Sequence, residues 1–224
     1  MLTVNDLYGV VYSQLILTEP KRKSKLSSIV FATRNFNKIQ EINQILKGLQ
    51  VPSVLPTIIG LDEINCKEEI AETSSTIAGN ALQKAKYVSE NYQVDCFAED
   101  TGLEIKALHG APGINSARYA GKSRDPKENM KLVLKELENH ELREARFKTV
   151  IALIYAQKTY TFTGIIEGTI TRAPRGNLGF GYDPIFQPIN LQSTFAEMTN
   201  QEKNQISHRY RALMQMVDFF TTMQ

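Results

Sequence analysis

The chain has 224 residues, 42% of them hydrophobic and 22% charged, with a formal net charge of +2. That length buries a substantial core as one large domain or two small lobes, and so small a charge gives no ground for a nucleic-acid partner. No apolar run approaches the ~20 residues needed to cross a membrane, and Cys66 and Cys96 lie in no metal-ligand spacing, so they read as reduced thiols of a cytoplasmic protein.

Residues 1–27 differ from the rest. Tyr8 to Leu17 is mildly apolar and is followed by the basic run Pro20 to Lys25, the reverse of a signal peptide's order, while Asp6 and Glu19 argue against a transit peptide. This segment is expected to be a poorly ordered N-terminal extension, with the folded domain over 28–224. From Ser28 strands and helices alternate. Ile29 to Ala32 reads as a buried strand, and Ile39, Ile42, Leu46 and Leu49 recur at helical spacing after it. Ile77, Ala81, Ala85 and Val88 form a second helical stripe. Cys96 to Ala98 reads as a short strand ending in Glu99 and Asp100, with a turn at Gly102. Asp125-Pro126-Lys127-Glu128 is a helix start, with an N-cap acid, proline in the first position and an acid in the third. Thr149 to Ala156 and Tyr160 to Ile166 read as a hairpin around Gln157-Lys158-Thr159, Gly164 and Gly168 as bulges or close backbone approaches, and a last helix runs from Ser207. The class is α/β with a mixed sheet.

Five groups of residues carry chemical promise. Glu99 and Asp100, side by side, offer hard oxygens suited to Mg²⁺, and Arg118 follows the glycine- and proline-fixed loop at 110–113. Thr33-Arg34-Asn35-Phe36-Asn37-Lys38 stands between the first strand and helix, where free backbone N–H groups and the helix dipole favour an anion; the same composition also suits a plain helix cap. Glu72 precedes a run of hydroxyls, with Asn80 and Lys84 on the next helix, and offers either a further carboxylate for a metal or a helix lead-in. Phe180-Gly181-Tyr182-Asp183 lies in a glycine-rich stretch, where Phe180 or Tyr182 is suited to cover a planar base and Asp183 to accept from a ring N–H. Lys203, His208 and Arg209 flank Ser207 at the start of the final helix. Cations there oppose the helix dipole, so an anion or a carbonyl-bearing ligand accounts for them better than local stability does.

Together these segments resemble the inosine triphosphate pyrophosphatase family, the Ham1-like enzymes. The resemblance runs from Ser28 to about Phe220, through Thr33-x-Asn35-x-x-Lys38, Glu72-Thr73 with Asn80-Ala81, Asp100-Thr101-Gly102-Leu103, Gly110-Ala111-Pro112-Gly113, Ser116-Ala117-Arg118-Tyr119, Gly179 to Pro184 and Ser207-His208-Arg209. It implies an elongated mixed sheet with two α/β lobes around a nucleotide cleft, usually in a homodimer, with neither nucleic acid nor membrane as partner. The implied reaction is hydrolysis of non-standard purine nucleoside triphosphates (ITP, dITP, XTP) to monophosphate and pyrophosphate with Mg²⁺. By position, Asp100 falls on the catalytic and metal-binding aspartate and Glu72 on the second ligand, with Glu68, Glu69 and Glu99 as alternatives. Thr33 to Lys38 fall on the triphosphate loop, Thr101 on a substrate contact, Phe180 to Asp183 on the base pocket, and Lys203, His208 and Arg209 on the remaining substrate contacts. Arg34 and Ser74 stand where the family pattern has glycines, Glu99 where it has an aspartate and Gly79 where it has a glutamate.

Overall fold

The computed structural model describes residues 28–49 and 55–223; the expected extension over 1–27 lies outside the described residues. Among the described residues six strands form one mixed sheet in the order β2-β1-β3-β4-β5-β6, in agreement with the expected α/β class. β1 (Ile29–Phe31) runs parallel to both β2 (Ile58–Ile59) and β3 (Cys96–Ile105), and the remaining pairs are antiparallel. β4 (Glu144–Tyr155) and β5 (Lys158–Ile170) are the long central hairpin, and β6 (Phe186–Pro188) closes the far edge. Ala156 and Gln157, at φ 48° and 62°, form its two-residue turn, so the loop is shorter than the three residues expected. Both in the left-handed region, they match the twist of the flanking strands. An added Cβ at Gly164 would lie 2.0 Å from the His208 carbonyl oxygen and one at Gly168 2.4 Å from that of Gln187, while the ladder runs unbroken. Both glycines therefore mark close approaches rather than bulges.

The helices are α1 (Phe36–Gly48), α2 (Ile77–Tyr92), α3 (Pro126–Glu136), α4 (Asn200–Ile206) and α5 (His208–Thr222). Asn35, Thr76, Asp125, Thr199 and Ser207 cap them by accepting backbone N–H bonds. Three apolar clusters divide the sheet. At one end, α2 covers Cys96, Ala98, Val150 and Ala152 on one face, while α1 and α5 cover Phe97, Ile151 and Leu153 on the other. At the other end, α3 and the Phe186–Phe195 region enclose Leu103, Ile105, Phe147, Ile166 and Ile170. β3 passes from one core to the other, and Glu99, Asp100 and Thr101 lie at the crossing.

The acid pair is not at a strand end. β3 continues through Gly102 to Ile105, each residue paired with β4. Gly102 is required because the Gly113 carbonyl oxygen would be 2.5 Å from any Cβ there; Ser116 Oγ ties that loop down by accepting the Leu103 N–H at 2.9 Å and donating to Gly113 at 2.6 Å. Lys203 is likewise not at the start of the last helix. It sits in the last turn of the separate helix α4, where the dipole favours a cation.

Candidate active site

A cleft of about 700 Å³ opens at the crossing. It is lined by Thr33, Arg34, Asn35, Asn37, Lys38, Glu72, Asp100, Thr101, Phe180, Gly181, Tyr182, Asp183, Lys203, His208 and Arg209, so residues spread over 177 positions of chain converge. Phe36 is the exception among the expected set. As the first residue of α1 it turns away from its neighbour Asn37, is 68% exposed, and borders a separate groove with Ile39 and Ile42.

Successive side chains on a strand point to opposite faces, and this separates the two acids. Glu99 faces α1 and α5, fully buried. Arg209 grips it through Nε at 2.8 Å and Nη2 at 3.0 Å, and Lys38 Nζ lies 3.1 Å away. Burial pushes the Glu99 carboxyl up, but Arg209 and Lys38 outweigh it and hold it down to about 2. Asp100 faces α2, accepting from Asn80 Nδ2 at 3.3 Å with Lys84 Nζ at 3.7 Å. Burial raises its pKa, against the pull of Lys84 and Lys38. The neighbours in sequence therefore do not form a joint oxygen site. Asp100 is instead grouped with Glu72, which is ion-paired to the same Lys84 and lies 3.8 Å from Arg118. Of the alternative ligands, Glu99 is enclosed, Glu68 accepts from Tyr92 at 2.6 Å, and Glu69 faces Arg124 at 3.5 Å on the rim.

Among the described residues no three His, Cys, Asp or Glu side chains converge on a metal position. A two-carboxylate donor set still suits a hard cation that draws its other ligands from water and phosphate, and the Lys84 ammonium between Asp100 and Glu72 shows that the pair favours positive charge at that place.

The loop before α1 is built as a cap and as an anion seat at once. Asn35 Oδ1 accepts the Lys38 N–H at 3.3 Å and Thr33 Oγ1 the Asn35 N–H at 3.2 Å, while the Phe36 and Asn37 N–H groups have no partner among the described residues. Arg34 reaches across to the Cys66 carbonyl and to Asp62 at 3.3 Å. Burial pushes the Lys38 ammonium down, opposed by Glu99.

At the other end of the cleft, Phe180 is half-buried, its ring 4.8 Å from Lys203 Nζ and 5.7 Å from the Arg209 guanidinium carbon. Tyr182 is not a stacking surface: its ring belongs to the core and its hydroxyl donates to the Ser116 carbonyl at 2.8 Å. Asp183 Oδ2 is already occupied, accepting from Lys203 at 2.6 Å and from the Phe180 N–H at 2.8 Å. His208 stacks on Phe147 at 4.6 Å, and its buried Nδ1 has no partner among the described residues. Burial, with Arg209 and Lys203 beside it, drives its pKa well below the ordinary imidazole range. Arg209 owes its place to buried ion pairs with Glu99 and Glu41, not to a ligand alone. Glu41 was not singled out in the sequence; the signal was an acid one residue before Ile42 and four before Ile45, on the buried side of α1.

The Ham1 family model matches residues 29–219. The chain is 51% identical over 193 residues to a dITP/XTP pyrophosphatase of Flavobacterium johnsoniae, covering 86% of this chain and 97% of that protein. A dITP/XTP pyrophosphatase of Porphyromonas gingivalis is 48% identical over 195 residues, with coverages of 87% and 97%. Among solved structures, the Ham1 protein of Staphylococcus aureus superposes with a TM-score of 0.79 at 34% identity, over 88% of this chain and all of that one. A HAM1 protein from Coxiella burnetii gives 0.78 at 39% identity, over 88% and 99%. With the motifs, the fold and these likenesses in agreement, the chain belongs to the Ham1 family.

Proposed function

We propose that this protein hydrolyses non-standard purine nucleoside triphosphates, ITP, dITP and XTP, to the monophosphate and pyrophosphate. The observation that carries the reading is the division of one cleft. A helix N-terminus, Lys38 and Lys84 lie beside Asp100 at one end, and Arg209 lies by Phe180 at the other. The dITP/XTP pyrophosphatase relatives support it.

In this reading the triphosphate lies over the free N–H groups of Phe36 and Asn37, with Lys38 and Lys84 absorbing charge on the leaving pyrophosphate. Asp100, its pKa raised by burial, orients a water and takes its proton as the link between α- and β-phosphates breaks. Mg²⁺ is the cation this donor set suits, held by Asp100 and Glu72; when bound, it supplies charge neutralisation and lowers the pKa of a bound water.

The base is read by donors. Among the described residues Arg209 spends four N–H bonds on Glu99, Glu41 and Thr101, which leaves one Nη1 hydrogen. Hypoxanthine and xanthine carry an acceptor oxygen at C6, whereas adenine presents an amino group that would face this N–H donor to donor. A buried donor left unpaired costs about 1–3 kcal/mol. The same reading takes the protein as a cytoplasmic homodimer; its two cysteines are free, and no helix among the described residues is long and apolar enough to cross a membrane.

The test is a panel of ITP, dITP, XTP, GTP and ATP with Mg²⁺, orthophosphate and pyrophosphate being read separately. Pyrophosphate from ITP, dITP and XTP with ATP a poor substrate is expected. Orthophosphate alone, or binding without turnover, would overturn the reading.

A further inference from the structure

Glu41 is buried in the wall behind the base end of the cleft, one helical turn after Lys38 on α1. Its Oε1 accepts from Lys203 Nζ at 2.7 Å, and its Oε2 is ion-paired with Arg209 Nη1. Both of those cations line the cleft, whereas Glu41 does not. They also share the Phe180 ring as a neighbour. A single carboxylate thus holds, from behind, the two cations that lie next to the aromatic surface.

Stability alone does not account for an acid here. The position lies beside Ile42 and Ile45 on the buried side of the helix. A buried ion pair contributes no more to stability than well-packed apolar side chains of similar size. What the carboxylate does contribute is direction and charge balance. Asp183, Lys203, Glu41, Arg209, Glu99 and Lys38 form an alternating sequence of contacts. Its three acids cancel its three cations, and among the described residues Glu41 is the member that joins Lys203 to Arg209. With Glu41 neutral, this sequence of contacts would set two acids against three cations, and Lys203 and Arg209 would lose the carboxylate they share. Arg209, still gripped by Glu99, would lose the partner that occupies its Nη1 edge, the edge that has a hydrogen to spare.

We propose that Glu41 is a positioning residue for base selection: by holding Lys203 and Arg209 from behind, it fixes which of their N–H groups face the purine, without touching substrate. The inference rests on the reading of Arg209 under Proposed function. Because Glu41 and Lys38 share one turn of α1, the helix that presents its N-terminus to the phosphates also sets the geometry of the base pocket.

Two variants test it. Glu41→Gln keeps the shape but removes the charge and turns an amide donor toward a cation. Glu41→Asp keeps the charge but is a methylene too short to reach both partners. kcat and KM are measured for ITP and ATP with each, alongside thermal melting. In Glu41→Gln the ITP-to-ATP ratio of kcat/KM is expected to fall by about 10-fold or more, through a rise in the KM for ITP, with a smaller fall in Glu41→Asp. An unchanged ratio, or equal losses on both substrates in step with the melting temperature, would overturn the proposal. Should Glu41→Gln not fold, the ratio in Glu41→Asp decides by the same criterion. A wild-type enzyme with no preference for ITP would instead remove the base-reading role of Arg209, so the two failures are told apart.

Discussion

The two ends of the cleft handle charge in opposite ways. At the base end, Glu41, Glu99, Asp183, Lys203 and Arg209 are all buried and each meets an opposite charge at close range. At the phosphate end, Arg34, Asn35 and Asn37 are exposed, Glu72 is half-buried, and one ammonium, Lys84, serves two acids. The difference teaches where selectivity and chemistry reside. In the proposed reading, a network that is complete before substrate arrives admits only a base with matching edges. Acids that share one lysine, in the same reading, have charge left to offer a cation, beside a helix N-terminus open to phosphates.

The largest expected effect follows from the closed end. Arg209→Met leaves Glu99 and Glu41 short of their main partner, and breaking buried pairs of this kind costs about 3–5 kcal/mol. A chemical denaturation series should show that loss, with a narrowed ITP-to-ATP ratio in whatever fraction folds. Near-wild-type stability would break the comparison. Asp100→Asn tests the open end. The amide is a poor base and a weak metal ligand, so kcat should fall at least ~10²-fold while the melting temperature stays close to that of wild type. A collapse in stability would place Asp100 with the closed network instead.

That contrast was only half visible in the chain. Helical spacing placed α1, α2, α3 and α5 because their apolar faces repeat cleanly, and the motif residues were near enough in type to their chemistry to be found one by one. The length of β3 was not visible, since Glu99, Asp100, Thr101 and Gly102 look like a polar turn. They are instead a strand whose partners lie some fifty residues away on β4. Tyr182 reads as a stacking residue until its hydroxyl is seen bound to Ser116, 66 positions distant. Glu41 was lost for the same reason: its partners are 162 and 168 positions downstream, and no local pattern reports a long-range ion pair.

Smaller effects sharpen the picture of the open end's scaffold. Gly79 and Ser74 both depart from the family pattern, and they touch: a Cβ at 79 would lie 1.9 Å from Ser74 Oγ. The Ser74 N–H is also bound to Asn80 Oδ1 at 2.9 Å, and Asn80 donates to Asp100. Gly79→Ala is expected to cost about 1–3 kcal/mol by overpacking, and Ser74→Gly in the same chain to recover most of it. Additive losses in a thermal double-mutant cycle would show that the two departures are independent.

The smallest effect is in acid. Asp100, its pKa raised by burial, protonates as pH falls through a value above its ordinary 3.8. Glu99 is held at about 2 against a usual 4.5. Its contribution to stability is therefore complete above 4.5 and lost only as pH falls toward 2. Turnover should decline on acidification before near-ultraviolet circular dichroism changes. Loss of fold ahead of activity would mean that the base end is the weaker of the two.

The ladder between β3 and β4 has a consequence for how the chain reaches its native state. Ten consecutive pairs, from Cys96 with Ile154 to Ile105 with Ala145, hold Glu99 and Asp100 on opposite faces. A slip of one residue would send every side chain of β3 to the wrong side. Depending on the direction of the slip, either Asp100 would take the place of Glu99 against Arg209, or Glu99 would take the place of Asp100 beside Lys84. A misregistered molecule could keep much of its hydrogen bonding and still be chemically silent. On the proposed mechanism, alignment of two strands is thus itself a condition of catalysis, decided during folding before any nucleotide is met.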